Sequence, residues 1–68
     1  MNLRNKKTKE LIAIALDYTT MTELAKMMTT IGLEELRTRR RDHVKIEFNF
    51  SQQLDIVKII KKLMKENR

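Results

Sequence analysis

Val44-Lys45-Ile46-Glu47-Phe48-Asn49-Phe50 decides the fold class, because apolar and polar residues alternate through it with a period of two. Successive side chains of an extended chain point to opposite faces, so Val44, Ile46, Phe48 and Phe50 would line one face and Lys45, Glu47 and Asn49 the other. β-branched and aromatic residues on the apolar side fit a pleated, half-buried surface. The stretch therefore predicts a strand with one buried face. A lone strand leaves its backbone N–H and C=O groups unpaired, so it requires a partner. Three are available: residues 36–40 as the first arm of a short hairpin turning at Arg41-Asp42-His43, the extreme N-terminus, or the same strand of a second subunit in an intersubunit ribbon.

Outward from this stretch the chain reads as helix. There is no proline, and Gly32 is the only glycine, so breaks are few and no flexible linker is present. Toward the C-terminus, Leu54, Ile56, Val57, Ile59, Ile60, Leu63 and Met64 form a wide apolar stripe, with Asn49 or Ser51 placed to cap. Such a stripe predicts a long helix packed on the core and on a symmetry mate. Lys58, Lys61, Lys62 and Lys65 fall on its outer side. Toward the N-terminus, Leu11 to Leu16 is an apolar block, which predicts a helix buried nearly all round. Thr20 and Glu23 have the spacing at which hydroxyl and carboxylate cap each other's free N–H groups, so a second helix should start there and end near Thr29. Leu33 and Leu36, with Glu34 and Glu35 early and arginines late, suit a third helix aligned with its own dipole. Residues 36–40 stay open between that helix and a strand. The expected class is α+β and mostly helical, with three helices, one strand and a C-terminal helix.

Length and charge bound the function. Residues 1–68 make one small basic domain, near the lower limit for independent folding. The chain has no cysteine and one histidine, which leaves neither a disulfide nor a histidine–cysteine metal site as reinforcement. Self-association is the remaining remedy, and a homodimer is expected. Cysteine-free composition fits a reducing, cytoplasmic compartment, and the longest apolar run is far too short to span a membrane. Fifteen Lys and Arg against nine Asp and Glu give a net charge of +6. Polyanions are the natural partners of so basic a surface.

The sharpest functional feature is Arg37-Thr38-Arg39-Arg40-Arg41. Guanidinium groups are planar, permanently charged and able to donate paired hydrogen bonds to phosphate or to guanine, which makes arginine a better recognition signal than lysine. Arg37, Arg39 and Arg40 are the expected principal contacts and Thr38 and Arg41 the secondary ones. Lys45, Lys6 and Lys7 would support them through phosphate, within an N-terminal basic set that runs from Arg4 to Lys9. Met21, Met27, Met28 and Met64 read as core filling rather than a partner surface. Tyr18, Phe48 and Phe50 do not make the exposed stacking platform of single-strand binders, because both phenylalanines fall on the apolar side of the strand.

The block from Thr20 to Arg41 resembles a helix-turn-helix of the kind found in small phage and transposon excisionases, winged-helix proteins and repressors. The resemblance rests on Ala25 in the bracing helix, Ile31 and Gly32 in the turn, and Leu36 facing back toward the core. Lys26 and Thr30 stand where that pattern has a small buried residue and a glycine. The resemblance implies binding of double-stranded DNA in transcription or recombination, with the strand as a wing and the terminal helix as its support. Structured RNA is a further possible ligand. A protein-interaction module, such as a small inhibitor or antirepressor, is the main rival, using the terminal helix or the strand edge. No enzyme, cofactor or metal is expected: His43 has no cysteine to activate, and neither a glycine-rich phosphate loop nor metal-ligand spacing is present.

Overall fold

A computed structural model describes residues 2–67 of the chain. After a 3-10 turn at Leu3–Asn5 come four α-helices: α1 at Thr8–Leu16, α2 at Met21–Met27, α3 at Leu33–Arg40 and α4 at Phe50–Glu66. There is no strand among the described residues, which overturns the expected α+β class. Residues 36–40 lie within α3, and the N-terminal turn is a 3-10 helix, so neither can pair with residues 44–50. The hairpin, the wing and the strand edge fall with the strand.

Residues 44–49 instead run as an irregular strap over the N-terminal end of α1. The buried Thr8 supplies what a neighbouring strand would have: its hydroxyl accepts the Phe48 N–H at 2.6 Å. In the other direction, the Glu47 carboxylate accepts the Thr8 N–H at 3.0 Å. The apolar alternation is real but only Phe48 reaches the core. Ile46 is 57% exposed and Phe50, already the first residue of α4, is 75% exposed. A period of two thus does not mark one continuous buried face here.

Each helix boundary has a local cause. The Thr20 side chain accepts the Glu23 N–H at 3.1 Å and opens α2. Asn49 and Gln52 form a reciprocal capping box at α4, each side chain accepting the other residue's backbone N–H. Arg41 leaves helical geometry with ψ at 137°, which ends α3. Gly32 precedes α3 in ordinary extended geometry, with φ at −88°, so the position does not require glycine.

The core is one cluster in which Leu11, Ile12, Leu24, Leu36, Ile56 and Ile60 are fully buried. Each such side chain contributes about 1.5–3 kcal/mol of burial. α4 lies against α1 and the 3-10 turn, while α3 is held by α1 and α2. The wide stripe of α4 is largely used inside the molecule, since Ile56, Val57, Ile59, Ile60 and Leu63 are all buried. α1 is less enclosed than its apolar block implies, because Ala13 is exposed and Ile14 and Leu16 are half-buried. Met28 joins the core, with Met21, Met27 and Met64 packed against it. Among the described residues, no helix is long and apolar enough to cross a membrane.

Candidate nucleic-acid interface

α2 and α3 are joined by residues 28–32, and one side chain from elsewhere fixes how they meet. Asp55 of α4 points a single carboxylate oxygen, Oδ2, at the turn. It accepts the Thr29 and Thr30 backbone N–H groups at 2.7 and 3.3 Å and their hydroxyls at 3.3 and 3.1 Å. Ile31 is buried beside this clamp and Leu36 holds α3 to the core. Thr30 therefore serves as a donor in the turn, and Lys26 stays at the surface beside Glu23 at 3.5 Å.

The arginine run divides at this point. An α-helix turns about 100° per residue, so on α3 Arg37 and Arg40 lie to one side of the buried Leu36 and Arg39 to the other. Arg37, Arg40 and Arg41 line one open cleft of about 710 Å³ with Met21 and Asp42. None of the three makes an ion pair among the described residues. Arg39 is withdrawn. Its side chain is only 12% exposed, its Nη2 donates to Glu35 at 3.3 Å, and its Nε is buried with no hydrogen-bond partner among the described residues. Thr38 is also engaged, its hydroxyl donating to the Glu34 carbonyl at 3.0 Å. Sequence position placed Arg39 among the principal contacts, whereas Arg41 shares the cleft and Arg39 does not.

Lys45, Lys6 and Lys7 come together elsewhere. With Lys9 they line a groove of about 740 Å³ between the start of α1 and the strap. Glu10 and Glu47 stand in the same groove, Glu10 within 3.7 Å of the Lys6 ammonium. The Glu47 carboxyl is held below the usual carboxylate range, chiefly by the Thr8 backbone N–H, with Lys7 and Lys9 adding attraction. Burial opposes this shift. The groove and the arginine cleft meet at one corner, where the Lys9 ammonium donates to the Asp42 carbonyl at 2.6 Å. Arg4, in the 3-10 turn, is turned to another part of the surface beside Phe50 and Leu54. Sequence reading missed Asp55 and Glu47, whose partners lie 25 to 39 residues away in the chain, and it placed Lys9 among the supporting bases without its partner Asp42.

No protein family, curated protein or solved structure matches the chain.

Among the described residues, no three His, Asp or Glu side chains are grouped so as to hold a metal ion. His43 is exposed in the turn after α3 and makes no ion pair among the described residues.

Proposed function

We propose that this protein binds double-stranded DNA through α3, as a compact regulator of transcription or recombination. One observation carries the reading: three guanidinium groups free of ion pairs converge on one open cleft at the end of a helix that α2 braces. A bracing helix and a second helix that reaches the duplex are the parts of a helix-turn-helix. The first turn of α3 carries Glu34 and Glu35, both exposed, and these would repel phosphate. Docking is therefore by the C-terminal half, with Arg37 and Arg40 directed to base edges or phosphates and Arg41 to phosphate. The proposal is tested by titrating a labelled duplex at low and rising salt. Arg37→Ala/Arg40→Ala/Arg41→Ala should abolish most of the affinity and flatten the log–log salt slope by about 0.9 for each phosphate no longer neutralised. Undetectable affinity of the parent protein at low salt, or unchanged affinity of the triple variant, would overturn it. Preference for structured RNA at matched salt would move the ligand to RNA.

Phe50 favours a second reading, in which self-association is the main activity. Its ring stands 75% exposed beside a hollow lined by Arg4, Gln53, Leu54 and Val57. Protrusion and hollow lie in one patch, as a two-fold contact between identical surfaces requires. Arg4 is the one charged residue lining this hollow, so two copies meeting there would bring together a single pair of like charges. Sedimentation should show a dimer that Phe50→Ser dissociates; a parent monomer at high concentration would remove this reading.

A further inference from the structure

We propose that the groove between the start of α1 and the strap seats the phosphates that flank the arginine cleft, through Lys6, Lys7, Lys9 and Lys45, and that Glu47 weakens this grip from within. The inference rests on the DNA reading and extends it to a second contact surface.

Four lysines from two distant parts of the chain reach one groove because Thr8 ties the strap to α1 through two hydrogen bonds. Lysine is a compact, flexible point charge, suited to phosphate oxygens and indifferent to base sequence. The groove also continues the arginine surface. Lys9 grips the carbonyl of Asp42, and Asp42 lines the arginine cleft, so one polyanion can pass from one basic surface to the other. The longest dimension of the molecule is 34 Å. That matches about 10 base pairs at 3.4 Å each, enough for one duplex to reach both surfaces.

Glu47 is what separates this groove from a merely soluble lysine patch. Its carboxylate is pinned to the Thr8 N–H and cannot swing aside without breaking that bond, so a fixed negative charge stands among the ammonium groups. It lowers the attraction for a polyanion while holding the lysines in place. By contrast, Lys58, Lys61, Lys62 and Lys65 are exposed on the outer side of α4 and line neither surface.

The test is fluorescence anisotropy over a salt series with duplexes of about 16 and about 6 base pairs, longer and shorter than the span of the molecule. Lys7→Ala/Lys45→Ala should flatten the log–log salt slope by up to about 1.8 on the long duplex and leave the short one unchanged. Glu47→Gln keeps an oxygen for the Thr8 N–H but removes the charge, and should tighten binding to the long duplex about two- to fivefold. Its thermal melt at neutral pH, compared with that of the parent, separates an affinity effect from a folding effect. Lys61→Ala/Lys62→Ala should behave as the parent. If the groove variants track that control and Glu47→Gln binds no tighter, while removing Arg37 and Arg40 still weakens binding, the groove is only a solubilising surface and the DNA reading stands. If the parent binds neither duplex at low salt, the DNA reading fails and takes this inference with it.

Discussion

α3 and the strap invert what their patterns promise. α3, from Leu33 to Arg40, fully buries a single side chain, Leu36, yet it is a complete helix. Residues 44–50 carry four alternating apolar side chains, yet form no strand among the described residues. A helix satisfies its backbone internally, whereas a strand must find its donors and acceptors in another segment. α3 therefore needs only an anchor and favourable ends, which Leu36, the early glutamates and the late arginines supply. The strap needs a partner, and with residues 36–40 and the N-terminal turn both helical it takes the side chain of Thr8 in place of a ladder.

The difference can be broken from either end. Leu36→Ala should have the largest effect, a destabilisation of about 2–5 kcal/mol, because it removes the one side chain that fixes α3 to the core. Urea unfolding measures it; a value below about 1 kcal/mol would mean that α3 is held by something other than Leu36. Thr8→Val comes next. It leaves the buried Phe48 N–H without an acceptor, at a cost of about 1–3 kcal/mol, and hydrogen exchange at Phe48 should accelerate more than exchange in α3.

Protonating Glu47 should do less, because the group is exposed and solvent screens it, and the cost stays under about 1 kcal/mol. The folded-state pKa of this carboxyl lies below its ordinary value of 4.5. Its stabilisation is therefore present in full above pH 4.5 and is lost as pH falls through the lowered folded value. Melting profiles of the parent and Glu47→Gln should differ above that range and converge below it. Gly32→Ser is the smallest and the only stabilising change. A Cβ there meets nothing within 4 Å and the backbone needs no positive φ, so a hydroxyl cap and a stiffer unfolded chain should add about 0.5–1 kcal/mol by thermal melting.

What could be read in advance was what the chain does within a few residues. The Thr20 cap and the lysine-bearing outer side of α4 follow from spacings of three and four, and the start of α4 was narrowed to Asn49 or Ser51. The strand reading failed on a non-local condition, the supply of a partner, which periodicity does not contain. Phe50 was misplaced for the same reason: its place in the alternation aimed it inward, but the Asn49 cap makes it the first residue of a helix and turns it to solvent. The arginine site was half legible. The residue types were visible, but with residues 36–40 open between helix and strand the 100° rotation that parts Arg39 from Arg37 and Arg40 could not be applied. Arg41, ranked second from sequence, lines the cleft because the chain leaves the helix there. Nothing local marks Glu47 as the cap of α1, or Asp55 as the anchor of the turn between α2 and α3.

That anchor leaves an uneven pattern of tolerance to substitution. Thr29 and Thr30 each reach Asp55 through both backbone and side chain, so changing either one alone forfeits a hydroxyl and keeps the amide. The two threonines are redundant with one another, while the oxygen they share has no substitute. Mutational drift can therefore change either threonine alone at little cost, as long as the acid that reads them both from α4 stays put.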